Sequence, residues 1–179
     1  MNTLNSFSSF PNSFCLKINV NLPCVYDLKH IATLIPVMKP YKEIEHTADT
    51  ALEIQGATLE QLLMNAVKGF YYLASVPELK QSGGCKEIVL KETSLEELII
   101  SFLNELNYYL TVHFCVFTGF EKFKLVKEKK TWKLYAKGIL TVLEPETILN
   151  LQEIKAVTYH QIQVERKNGV YSIQIVFDI

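Results

Sequence analysis

Apolar residues recur along this chain with two periods, and the switches between them mark out its elements. Tyr41–His46 and Thr50–Gln55 alternate two by two, with Leu52 and Ile54 on one face, so both are predicted as strands, and Gly56 ends the second. Thr58-Leu59-Glu60-Gln61 then forms a capping box, whose side chains can satisfy amide groups left free in a first helical turn. Leu59, Leu62, Leu63, Ala66, Val67 and Phe70 follow at helical spacing and predict a helix buried along one side. The same design returns downstream. A strand over 86–91 leads into the capping box Ser94-Leu95-Glu96-Glu97, and Leu98, Ile99, Phe102, Leu103 and Leu106 carry the second helical stripe.

The remainder of the chain returns to a period of two. Segments 120–127 and 131–143 flank the turn Glu128-Lys129-Lys130, with Trp132, Leu134 and Ala136 alternating along the second arm. Segments 157–166 and 170–179 flank Lys167-Asn168-Gly169, whose Asn-Gly favours the left-handed backbone of a tight hairpin. In the last strand Tyr171, Ile173, Ile175, Phe177 and Ile179 point one way, and Ser172, Gln174, Val176 and Asp178 the other. Two strand-then-helix units followed by two hairpins predict an α+β fold. The expected form is a single domain with a mixed, largely antiparallel β-sheet and two long helices packed on one face.

That domain is read over residues 39–179. Ser, Asn and Phe dominate residues 1–14, and no acidic residue precedes Asp27. Transit peptides share this acid-poor character but are Arg-rich, and the only arginine here is Arg166. Residues 1–38 are therefore read as an extension, either poorly ordered or a start assigned too early, with Met38 as the alternative initiator.

With 179 residues, 49% hydrophobic and 21% charged, the chain has material for one substantial core. A formal net charge of −1 argues against holding nucleic acid by bulk electrostatics, so any RNA contact is expected to be local or indirect. The four cysteines, Cys15, Cys24, Cys85 and Cys115, lack metal-binding or disulfide-scaffold spacing and read as reduced thiols of a cytoplasmic protein. No apolar run reaches the ~18 to 20 residues of a membrane-spanning helix. Phosphate loops, dinucleotide fingerprints, nucleophile elbows and H-E-x-x-H pairs are absent, which points away from an independent phosphoryl or acyl transfer enzyme and towards a partner that supplies the chemistry.

Two acidic residues stand outside any charged stretch: Asp49, ending the run Glu45-His46-Thr47-Ala48-Asp49, and Asp178, next to the last residue. A fold that joins the ends of the domain would gather oxygen ligands suited to a hard cation. The plainer alternatives are that Asp49 caps a turn and that Asp178 is a solvated strand end. His46 is a hydrogen-bonded strand-end residue or a neighbour of the metal, and Thr158 and His160 share a strand face that is either ordinary polarity or an extension of the same patch. Asn104 and Glu105 are read as packing or ion-pairing residues of the second helix. The lysines at 122, 124, 127, 129, 130 and 133 alternate with aromatic residues, which is read as the charged outer face of a half-buried strand rather than as a nucleic-acid platform.

Five blocks in order resemble the archease family: Tyr41-Lys42-Glu43-Ile44-Glu45-His46-Thr47-Ala48-Asp49, Thr58-Leu59-Glu60, Leu103-Asn104-Glu105-Leu106, Ile154-Lys155-Ala156-Val157-Thr158-Tyr159-His160 and Phe177-Asp178-Ile179. The resemblance runs from Tyr41 to the last residue. It implies an accessory protein, not itself an enzyme, that activates the RtcB-type RNA ligase of tRNA splicing. Such a protein promotes guanylylation of the ligase's active-site histidine, restores multiple turnover and alters nucleoside triphosphate specificity. It also implies a divalent cation, Ca²⁺ first and Mg²⁺ or Mn²⁺ next, at Asp49, Asp178 and Ile179, with tRNA reached through the ligase. Lys155 falls within the fourth block and is expected beside the acidic pair, where it would meet phosphate or a partner's acidic group. Self-association is compatible with this reading, and a membrane partner is not expected. The alternatives are a metal-dependent hydrolase built from His46, Asp49, His160 and Asp178, and a chaperone or specificity modulator of an RNA-modifying enzyme.

Overall fold

The computed structural model describes residues 40–45, 50–159 and 162–179, so the extension read over 1–38 lies outside the described residues. Strands β1 (Tyr41–Glu45) and β2 (Thr50–Gly56) lead into helix α1 (Leu59–Leu73), strand β3 (Cys85–Glu92) and helix α2 (Leu95–Val112). Then come β4 (Cys115–Glu128), β5 (Thr131–Val142), the one-turn α3 (Pro145–Ile148), the short β6 (Ala156–Val157) and β7 (Glu165–Lys167), and finally β8 (Val170–Asp178).

Both long helices begin where their capping residues place them. Ser94 and Glu97 form the full reciprocal box, and Glu97 also accepts from the Thr93 hydroxyl and amide. The Thr93 hydroxyl, with the Ser94 amide, holds the Glu97 carboxyl below the usual carboxylate range. At α1 the Thr58 hydroxyl accepts from the Gln61 amide as expected, but the Gln61 side chain accepts from Ala57, one residue earlier than in the standard box. Gly56 makes the approach to α1 feasible, because a Cβ there would stand 2.4 Å from the Leu62 amide nitrogen.

Every strand pairing among the described residues is antiparallel, and the α+β class with two long helices stands as the sequence predicts. The strands divide between two sheets, one ordered β1-β2-β8-β6 with β7 also on β8, the other β3-β5-β4. Helix α1 packs on β1, β2 and β8 and also meets β4, while α2 packs on β3, β4 and β5 and also meets β6. Each helix therefore touches both sheets. That explains why Ile100, outside the predicted stripe of α2, is fully buried with Leu98, Phe102 and Leu103. Leu52, Ile54, Ile175 and Phe177 from one sheet and Ile88, Phe117 and Leu134 from the other complete the core.

The hairpin at Asn168-Gly169 forms with positive φ at both residues, 52° and 83°. Its first arm is not the continuous strand expected over 157–166. β6 and β7 pair with opposite ends of β8, and the first arm holds more residues than β8 between those pairings. Among the described residues, 158–159 and 162–164 stand outside the paired strands. Ile162 and Val164 pack against the core, and the Val164 amide donates to Glu96. A second departure lies in β4, which starts at Cys115 and carries irregularities at 118 and 121 that a two-fold pattern does not reveal.

At the first irregularity the Phe117 amide donates to the Tyr71 hydroxyl at 2.9 Å, and burial pushes the Tyr71 phenol well above its ordinary range. Tyr71→Phe removes the acceptor and leaves that amide unpaired. A loss of about 1–3 kcal/mol in chemical denaturation is expected, and an unchanged unfolding midpoint would contradict this role.

Candidate functional site

The final residues of β8 are held between two other segments. Thr50 of β2 is the cross-strand partner of Phe177, and Ala156 of β6 is the partner of Asp178. Each is joined by one peptide bond to a candidate residue, Thr50 to Asp49 and Ala156 to Lys155. Asp49 itself lies outside the described residues. Antiparallel pairing thus draws three stretches far apart in sequence to one end of the sheet.

Lys155 reads that end directly. Its amide donates to the Asp178 carbonyl at 2.8 Å, and its ammonium donates to the main-chain oxygen of Ile179 at 2.9 Å. The same ammonium stands 3.7 Å from Asp178 Oδ1, with side-chain exposures of 59% for Lys155 and 48% for Asp178. A carboxylate and a main-chain oxygen therefore converge on one positive charge. An ion pair this long and this exposed contributes little to stability, so the ammonium is free to exchange to another acceptor. An oxygen-only donor set suits Ca²⁺ or Mg²⁺. Among the described residues no three His, Cys, Asp or Glu side chains gather at metal-holding distance. A divalent cation here would thus draw on Asp49 and on water or partner oxygens besides Asp178 and Ile179.

Two asparagines fix the segment that carries Lys155. Asn104 of α2 donates to the Val157 carbonyl at 3.1 Å and accepts from the Val157 amide at 3.0 Å, so its side-chain amide stands in for a neighbouring strand along the outer edge of β6. One turn on, Asn107 donates to the Ile154 carbonyl at 2.7 Å. Its Oδ1 is buried with no partner, the one such side-chain atom among the described residues. Reading Asn104 as a packing residue missed this role. The available signal was two asparagines three positions apart, interrupting the apolar stripe of α2 and placed on one helical face by that spacing.

Thr158 is half-buried, and its amide and hydroxyl both donate to the Val176 carbonyl, at 3.0 and 3.2 Å. Because β6 ends at Val157, the strand face expected to join Thr158 to His160 does not extend to Thr158. His46 and His160 lie outside the described residues, and Glu105 makes no ion pair among them.

The pattern held in this geometry has known relatives. The family described as "Archease protein family (MTH1598/TM1083)" matches residues 41–179, from the first residue of β1 to the end of the chain. The chain belongs to the archease family. Protein archease of Thermococcus kodakarensis is 32% identical over 143 residues, covering 79% of this chain and 100% of the relative. Protein archease of Pyrococcus abyssi is 33% identical over 144 residues with the same coverage of both chains. The solution structure of Methanobacterium thermoautotrophicum protein 1598 covers 79% of this chain and 100% of its own, with a TM-score of 0.64 at 20% identity, and so shares the archease fold. No helix among the described residues is long and apolar enough to cross a membrane.

Proposed function

We propose that this archease-family chain is a cytoplasmic accessory protein of an RtcB-type RNA ligase. It promotes guanylylation of the ligase's active-site histidine, sustains multiple turnover and alters nucleoside triphosphate use. The observation that carries the reading is the register around Asp178, which sets β2, leading directly from Asp49, and β6, leading directly from Lys155, on the two edges of β8. Asp49, Asp178 and the main-chain oxygen of Ile179 would hold a divalent cation, Ca²⁺ first. Such an ion, when bound, supplies positive charge for phosphate oxygens of a partner or nucleotide. Lys155, anchored through its own amide and flanked by the Asn104 and Asn107 contacts, keeps its backbone in place while its exposed ammonium exchanges from Ile179 to a phosphate or a partner carboxylate. The protein's own groups thus bind and orient, and the bond-making step belongs to the ligase.

Purified protein mixed with ligase, 3′-phosphate RNA, GTP and Mn²⁺ is expected to raise multiple-turnover ligation well above that of the ligase alone. No increase would reject the reading. Turnover of a phosphoester without ligase would instead support the metal-dependent hydrolase.

A further inference from the structure

A second site is built at the opposite end of β8. Tyr171 lies near the start of that strand and Asp178 at its end, a separation of about 23 Å at the usual rise per residue. Around Tyr171 and Trp132 two open clefts meet. One, of about 520 Å³, is lined by Lys127 near the end of β4, by Lys129 and Lys130 of the β4–β5 turn and by the first turn of α2. The other, of about 340 Å³, is lined by Arg166 and by the first turn of α1. Trp132 and Tyr171 form a wall common to both.

The cations lining these clefts are not held in ion pairs among the described residues. Lys127 lies over the Trp132 ring at 5.2 Å and Arg166 over the Tyr171 ring at 4.9 Å. Lys129 and Lys130 make no ion pair among the described residues, whereas Lys133 and Lys137 on the same hairpin are neutralised by Glu128 and Glu121. Of the nearby carboxylates, Glu92 accepts from the Ser101 hydroxyl, Glu96 from the Val164 amide and Glu97 from its capping box, while Glu60 stands exposed at the rim; all four are formal negative charges, and none is ion-paired to these cations among the described residues. Four cations therefore stand around two aromatic rings, beside the first turns of α1 and α2.

We infer that this end of the molecule binds single-stranded nucleic acid, with phosphates on Lys127, Lys129, Lys130 and Arg166 and bases against Trp132 and Tyr171. Paired clefts divided by aromatic rings suit a chain that alternates phosphates with flat bases. An acidic peptide would satisfy the lysines but leave the rings without a matching surface. A base stacking on Trp132 displaces Lys127 from the ring face, and its ammonium moves to the adjoining phosphate. The inference stands apart from the ligase reading, since none of these residues belongs to the Asp178 end.

Trp132 is the only tryptophan in the chain, so its fluorescence reports on this site alone. Titration with a labelled oligouridylate, followed by anisotropy and by Trp132 quenching, is expected to show saturable binding. With Lys127, Lys129, Lys130 and Arg166 engaged, the slope of log affinity against log salt should be about −3. The triple variant Lys127→Ala, Lys129→Ala, Lys130→Ala should bind at least about tenfold more weakly at unchanged circular dichroism, and Lys122→Ala with Lys124→Ala should bind as the parent does. An oligodeoxythymidylate arm separates RNA from DNA as the source of the phosphates. The inference is overturned by absence of saturable binding, by binding without Trp132 quenching, or by full affinity in the triple variant. Displacement by polyglutamate as efficient as by unlabelled oligonucleotide would also overturn it, assigning the clefts to an acidic protein segment.

Discussion

Asp178→Ala is expected to abolish stimulation of the RNA ligase while leaving the fold almost untouched. The side chain is about half exposed and its partner Lys155 stands 3.7 Å away, so the thermal midpoint should fall by no more than about 3 °C. The backbone contributions of Asp178, its pairing with Ala156 and its carbonyl bond to the Lys155 amide, survive the substitution. What is lost is one of the two described oxygens that converge on the Lys155 ammonium and that would hold a divalent cation in the proposed function. Added Ca²⁺ should accordingly raise the melting temperature of the parent, because a ligand that binds only the folded state stabilises it, and should leave that of the variant unmoved. Asp49→Ala should behave alike. Full stimulation in both variants would remove the acidic pair from the mechanism.

Asn104→Ala should cost both stability and function. The substitution leaves the Val157 amide and carbonyl unpaired beside a buried side chain, a loss of about 2–3 kcal/mol. The melting temperature should drop by roughly 5–10 °C, and hydrogen exchange at the Val157 amide should accelerate more than exchange in β2. Ligase stimulation should fall as well, because the segment from Ile154 to Val157 aims Lys155 at the end of β8. Asn104→Asp is the informative companion. It still accepts from the Val157 amide but cannot donate to the carbonyl, so an intermediate result is expected in each measurement. Unchanged exchange at Val157 in the alanine variant would show that β6 is held by β8 alone.

Much of the architecture was legible before any coordinates. Thr58 and Ser94 announced the starts of both long helices, since an N-cap hydroxyl and the amide it satisfies lie within three residues of each other. Asn168-Gly169 announced the last hairpin for the same reason, its positive φ angles being a property of those two residues. The break between β6 and β7 was hidden, because alternation over 157–166 cannot count the residues on the opposing strand. The division of the strands into two sheets was hidden too, since each segment is equally apolar whichever neighbour it pairs with.

At the candidate site, the closing Asp178-Ile179 and the block containing Lys155 stood out in the sequence, and they meet in space. Asn104 did not, because its partners belong to the backbone of a segment some fifty residues away, and backbone groups carry no sequence signature. The hairpin lysines were visible only as the polar half of an alternating strand. That Lys127, Lys129 and Lys130 face the first turn of α2 while Lys133 is tied to Glu128 depends on how the β4–β5 turn packs against the helix layer. Short-range chemistry thus settled which elements form and where they begin, because capping bonds and turn dihedrals are made between near neighbours. Partnership across the fold settled what those elements bring together: strand register and helix packing placed the acidic residue and the lysine at one end of β8 and the cations around Trp132 and Tyr171 at the other.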